Sequence, residues 1–244
     1  MARPSAVARL AIIGEDQWGL VTRRQAQEVG IARATLDRLV TNSLLERVDR
    51  GVYRLAGAPV PDHMELRAAW LGLDPGVLRW QRPREDGVVS HRSAAAIYEV
   101  GDLPADRHEF TFTTRRQSRR PDLRFHLGAP DLAPWVEVRG GLPVTRPSRI
   151  ASDLLLDYEV PESVAHIIID SIRAGYEQPV GFAGALAPHA AKFRWLKPGD
   201  GLGLLGWLLA LTGDREADAW MEQARAQVAR PRVPAIVTQV KAPA

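Results

Sequence analysis

The chain has 244 residues, 45% of them hydrophobic and 25% charged, and it contains no cysteine. That length suits two modest domains with packed cores, and the missing cysteines exclude disulfides and thiolate-based metal or catalytic sites. The formal charge is only +3, too little to indicate nucleic acid by itself, so the placement of the cations matters more than their sum.

Nearly all the cations are arginine, a bias that a GC-rich coding sequence also produces, and the pI is near 9.6. No targeting signal stands out. The apolar run over residues 10–13 stops at Gly14-Glu15-Asp16, too short for a signal-peptide core. The most apolar stretch, residues 202–212, falls short of the ~20 residues that span a bilayer. A cytoplasmic protein with no membrane contact is the expectation.

Residues 5–13 read as a helix, with Ala6, Leu10 and Ile13 on one face. Trp18 reads as core, since large aromatics dominate small cores. Thr22 suits a helix N-cap, because its hydroxyl can accept a backbone N–H of the first turn. A helix over 23–29 follows, with Ala26 small enough to let a second helix cross close by. Gly30 supplies the permissive backbone that the turn needs, and Ile31 plugs the junction. The next helix, over about 32–41, puts Leu36, Leu39 and Val40 inward, leaving Arg33, Ala34, Thr35, Asp37 and Arg38 outward. Residues 45–48 and 52–55 flank Asp49-Arg50-Gly51 and read as a hairpin. Together this is the pattern of a winged helix-turn-helix, whose second helix enters the DNA major groove.

Residues 56–61, Ala-Gly-Ala-Pro-Val-Pro, hold a Gly and two Pro and read as a linker. The expected boundaries are a winged domain at 1–57, a second domain at 62–230 and a loosely ordered tail at 231–244. Asp62 is placed to cap a helix reaching about Leu71, with His63 exposed in its first turn and Leu66 and Trp70 inward. Ser90 is placed to cap an Ala-rich helix beginning at His91. Residues 108–114 alternate as a half-buried strand. Residues 123–127 read as the returning strand of a hairpin, with Leu123, Phe125 and Leu127 on one face. Arg115, Arg116, Arg119 and Arg120 would crowd the tip of that hairpin. Like charges so close repel, and a phosphate backbone is the natural partner, with an acidic protein patch as the alternative. Residues 135–139 and 142–145 read as short strands about Gly140-Gly141. Pro147 and Pro161 suit first helical turns, with Ile150, Leu154 and Leu155 inward on one helix and Val164, Ile168 and Ile172 on the next. Residues 181–191 read as partly helical, 201–211 as a buried helix or an interaction surface, and a last helix capped by Asp214 runs to about Ala229.

The stretch "GLVTRRQAQEVGIARATLDRLV…LLERVDRGVYRLAG" resembles the N-terminal domain of the AbiEi family, the antitoxins of bacterial type IV toxin–antitoxin systems. The segments "VVSHRSAAAIYEVGDLPADRHEFTFTTRRQSRRP" and "GLPVTRPSRIASDLL" resemble that family's next segment, so the likeness covers about residues 15–160. It implies a winged-helix N-domain, a second α/β domain, repression of the protein's own operon and neutralisation of a nucleotidyltransferase-like toxin. It carries no catalytic role onto His91, which reads as a capping-turn histidine with no carboxylate partner nearby in sequence. His166 reads as a core or edge histidine.

Pro130-Asp131 followed by Glu137-Val138-Arg139 mimics a metal-dependent nuclease signature. Pro134 interrupts the short gap between the acids, and Arg stands where such sites use Lys; always protonated, it takes no proton from an attacking water. No phosphate-binding Gly-x4-Gly-Lys-Ser/Thr loop occurs. The expectation is therefore a non-enzyme without cofactor or metal and with no catalytic residues. Its fold would be α+β: an N-terminal winged helix-turn-helix, then a mixed α/β C-terminal domain with a helical C-terminus. Its partners would be double-stranded DNA of its own operator and a nucleotidyltransferase toxin. Arg33, Thr35 and Arg38 would meet base edges, and Arg23, Arg24, Arg50 and Arg54 phosphates. Arg115, Arg116, Arg119 and Arg120 would form a second electrostatic contact. The alternatives are a stand-alone regulator with a ligand-sensing second domain, or a catalytic antitoxin that modifies its toxin.

Overall fold

The computed structural model describes residues 4–229; the tail expected at 231–244 lies outside them. The first elements are α1 (Ala6–Glu15), β1 (Leu20–Thr22), α2 (Arg23–Glu28), α3 (Arg33–Thr41), β2 (Leu45–Asp49) and β3 (Val52–Leu55). They form a winged helix-turn-helix on an antiparallel sheet of order β1-β3-β2. Thr22 caps α2 as expected: its hydroxyl accepts from Gln25 N at 3.1 Å, and the Gln25 side chain accepts from Thr22 N at 3.0 Å. Gly30 sits at φ +75°, in the left-handed region open to glycine. Leu10, Ile13, Val21, Ala26, Ile31, Leu36, Leu39, Leu45 and Tyr53 close the core beneath.

The chain continues through α4 (Met64–Leu73), β4 (Val88–Val89), α5 (His91–Tyr98), β5 (His108–Phe112), β6 (Leu123–Leu127), β7 (Val136–Arg139) and β8 (Leu142–Thr145). It ends in α6 (Pro147–Leu156), α7 (Pro161–Arg173), α8 (Pro179–Leu186), α9 (Gly201–Thr212) and α10 (Ala217–Ala229). Pro147 and Pro161 each occupy a first helical turn, where a missing N–H costs no helical hydrogen bond. The second sheet has the order β6-β5-β4-β8-β7. The whole is α+β, a winged helix-turn-helix followed by a mixed sheet and a helical C-terminal part. Helix α9 is buried along Leu204, Leu205, Leu208 and Leu209 and packs among α7, α8 and α10.

Several local expectations are corrected. β5 and β6 are parallel, paired from His108 with Leu123 to Phe112 with Leu127, so they are not a hairpin. Residues 113–122 carry the chain back along β5, and the arginines line that return rather than a tip. Alternation fixes which side chains share a face but says nothing about strand direction. β5 is also buried on both faces, Glu109 and Thr111 included, while Leu127, on the same face as Leu123 and Phe125, is 66% exposed at the sheet edge. Asp62 does not cap α4: His63 holds the cap position in the left-handed region, at φ +52°. Ser90 holds the cap position of α5 without a capping side-chain bond, because its hydroxyl is used elsewhere.

The larger core runs from the second sheet through the C-terminal helices and reaches Leu20 and Val52 of the winged sheet. Polar contacts follow the same path. The Gly140 carbonyl accepts from Trp18 Nε1 at 2.8 Å and from Arg67 Nη1 at 2.6 Å. Gly140 and Gly141 both have positive φ, and a Cβ on either would run into Arg67, Arg79 or Trp18. Trp18 packs edge-on against Trp70, with Arg67 4.6 Å from its ring centre. Thr22 Oγ1 donates to Pro75 O, Gln25 Nε2 donates to Val77 O at 3.1 Å, and Arg79 N donates to Gln17 Oε1 at 2.9 Å. The winged unit is thus seated on α4, the segment that follows it and the β7–β8 turn by apolar packing and part-buried hydrogen bonds together.

Candidate nucleic-acid interface

Helix α3 buries Leu36 and Leu39 and turns Arg33, Ala34, Asp37 and Arg38 to solvent, with Thr35 half-buried among them. The only hold on these two arginines among the described residues is loose: Arg33 lies 3.8 Å from Asp37, both side chains well exposed. Ala32 stands at the N-cap and offers no side-chain oxygen. Thr35 N already donates to Ala32 O at 3.0 Å, which leaves the N–H groups of Arg33 and Ala34 to an outside acceptor, at the end of the helix where its dipole favours anions.

The wing lies against α2. Arg23 N donates to Gly51 O at 2.8 Å, which holds Arg23 beside the wing turn. Arg23, Arg24 and Arg50 are exposed, and Arg24 makes only a 3.9 Å contact with Glu28. Arg54 lies elsewhere. It is bound to Glu46 across the wing at 2.6 Å and donates to Ala58 O at 2.6 Å, so its guanidinium braces the base of the wing.

The second arginine group divides the same way. Arg120 reaches Asp49 at 2.7 Å and also pairs with Asp122. These bonds, Asp122 first, raise the Arg120 pKa further, and Arg120 holds the Asp122 carboxyl below its usual range. Arg116 pairs with Asp86 at 3.0 Å and lies over the Phe112 ring. Arg115 and Arg119 are exposed and join no ion pair among the described residues. The Arg120–Asp49 bond brings the 113–122 segment beside the wing turn. Arg119 and Arg50 are chain neighbours of that bonded pair, and Asp49, whose importance sequence reading missed, joins the two segments.

Sequence reading also missed a polar cluster inside the second sheet. The His91 ring stacks on the His126 ring with centres 3.5 Å apart. His126 Nε2 donates to Glu109 Oε2 at 2.7 Å, and His91 Nδ1 lies 2.9 Å from Ser90 Oγ, which accepts from Thr111 Oγ1 at 2.8 Å. Asp157 approaches both rings, and Arg124 reaches its Oδ2 at 2.8 Å. Burial, then the neighbouring His126, pushes the His91 pKa down to about 2, so this imidazole is neutral. His91 does stand in the first turn of α5, as expected, but it is buried there, and the fold brings it a carboxylate neighbour in Asp157. The one available sequence signal was the polar face of β6, Arg124 and His126, opposite Leu123 and Phe125. His166 is exposed, not part of a core. The acids of the nuclease-like pattern serve separately: Asp131 is exposed, whereas Glu137 accepts from the Tyr98 hydroxyl and lies 3.5 Å from Arg139.

A winged helix-turn-helix with an open, arginine-bearing second helix is the architecture of one class of DNA-binding domain. Within that class, residues 9–56 match the family model described as "Transcriptional regulator, AbiEi antitoxin", so the winged unit is a domain of the AbiEi antitoxin and regulator type. The fold is similar to that of the crystal structure of the RV2827C protein from Mycobacterium tuberculosis, with a TM-score of 0.51 and 15% sequence identity over 91% of this chain and 82% of that one. No curated protein matches the chain. Among the described residues, no helix is long and apolar enough to cross a membrane.

Proposed function

We propose that this protein represses its own operon by binding operator DNA and acts as the antitoxin of a nucleotidyltransferase-like toxin. The observation that carries the DNA half is α3, with Arg33, Thr35 and Arg38 on an outward face beyond an uncapped N-terminus. Arg33, Thr35 and Arg38 read base edges. Arg23, Arg24 and Arg50 hold phosphates, and Arg115 and Arg119 add a second electrostatic grip from the 113–122 segment. Arg54, Arg116 and Arg120, engaged by acids within the fold, position the wing and the 113–122 segment rather than touch DNA. The unit at 1–57 supplies DNA recognition, and 62–230 carries antitoxicity without a catalytic step. Support for the toxin half is the AbiEi match over residues 9–56.

The test is a gel-shift titration on the protein's own upstream DNA against a scrambled duplex, at two salt concentrations. A specific shift that survives the higher salt is expected. Equal, salt-sensitive binding to both duplexes would reduce the arginines to a phosphate grip. Co-expression with a neighbouring nucleotidyltransferase gene tests the toxin half, by rescue of growth.

A ligand-sensing regulator is the second reading; the feature that favours it lies in the winged unit and the linker rather than in the second domain expected to sense the ligand. A mainly apolar cavity of about 590 Å³ lies between α1, Trp18, Leu44, Leu55 and the 56–61 linker. A small apolar ligand there would sit where the winged unit joins the rest. Operator affinity that changes with a cell extract's small-molecule fraction would support this reading.

A further inference from the structure

The stacked histidines at the second sheet gather with a carboxylate into one cluster. His91, His126 and Asp157 each offer one potential ligand atom, a ring nitrogen or a carboxylate oxygen, and these atoms lie within 4.8 Å of one another. Among the described residues these are the only His, Asp or Glu side chains grouped so closely in threes. The outer nitrogen of each ring is engaged, that of His126 by Glu109 and that of His91 by Ser90. The inner nitrogens are not. His91 Nε2 and His126 Nδ1 face Asp157 Oδ2 at 3.9 and 3.8 Å, too far for hydrogen bonds. A ring whose outer N–H is held by a carboxylate is fixed in the tautomer that leaves the other nitrogen free to ligate, and its basicity is raised.

We propose that His91, His126 and Asp157 bind a zinc-class divalent ion, with Glu109 and Ser90 holding the two imidazoles in ligating orientation. Two imidazoles and one carboxylate favour a transition ion over calcium or magnesium, which take oxygen ligands. Three protein ligands leave a fourth position for water. The ion would tie together the first turn of α5, strand β6 and Asp157 at the C-terminal end of α6. Two features must yield when it binds. Ring nitrogens donate in the ring plane, so the rings must splay from their present 13°. Arg124, half exposed and 2.8 Å from Asp157 Oδ2, competes for that carboxylate and must share or release it.

The test uses the full-length chain without a histidine tag, stripped by chelator. Zn²⁺ is titrated by calorimetry, and Co²⁺ by visible absorption. Expected are one ion per chain, the strong visible bands of four-coordinate cobalt and a raised melting temperature. His126→Gln and Asp157→Asn should each abolish the cobalt bands. Glu109→Gln should weaken binding roughly 10–100-fold, Arg124→Gln should tighten it, and His166→Gln should leave it unchanged. Should a buried histidine variant fail to fold, Asp157→Asn, at a part-exposed helix end, still decides the matter. Absence of saturable binding, or equal affinity in the Asp157→Asn protein, overturns the proposal. Neither outcome bears on operator binding.

Discussion

In the winged unit, Arg23, Arg24, Arg33, Arg38 and Arg50 stand on faces whose opposite sides are apolar, and each is open to solvent. At the five-stranded sheet and the start of α5, Glu109, Thr111, Ser90 and His91 are buried, and each is bonded to another member of one cluster that includes His126. An exposed cation is satisfied by water and costs the fold little, so it is available to a partner. A buried polar group must find its partner within the chain, because leaving it unpaired costs its desolvation. The first set should therefore govern DNA affinity and the second set stability, with little crossover.

That contrast can be broken or sharpened by substitution. Phe110 is fully buried in β5, and Phe110→Ala should cost about 3–5 kcal/mol, read by urea unfolding. Its folded fraction should keep wild-type operator affinity. Glu109→Ala removes the acceptor of His126 Nε2 and should cost about 1–3 kcal/mol, again with operator affinity intact. Arg38→Ala reverses the pattern: about 1–3 kcal/mol lost at one base position, and unfolding free energy within about 0.5 kcal/mol of wild type.

A smaller effect is expected from pH. Burial, only partly offset by Arg149, pushes the Asp153 carboxyl up from 3.8 to about 6. The native state then binds the extra proton between those values, so this residue's contribution to stability falls as pH rises through that window. Asp153→Asn should remove that component from a stability–pH profile, and an unchanged profile would count against the burial. The smallest effect belongs to Arg119→Ala, which should weaken all duplexes alike and lower the salt slope by about one.

The winged unit was legible because its signals are local. Thr22 with Gln25 marks one helix start, Gly30 the turn, Leu36 and Leu39 an inner face, and Asp49-Arg50-Gly51 a wing turn. Pro147 and Pro161 mark helix starts in the same way. What could not be read depends on pairs far apart in sequence. The direction of β6 beside β5, Trp18 against Gly140, Asp49 with Arg120, and His91 on His126 beside Asp157 leave no spacing rule behind. For the same reason Arg54, Arg116 and Arg120 looked as available as Arg23 or Arg119. Their acid partners Glu46, Asp86 and Asp49 are set beside them by the fold; only Asp122, for Arg120, was already close in the chain.

The most direct test of the account is selection of duplexes from a randomised pool by the wild-type protein and by Arg38→Ala, at matched salt. Wild type should enrich one site found upstream of its own gene, and the variant should lose preference at a single base position within it. An identical preference in both proteins, or none in either, would contradict α3 as the reading helix.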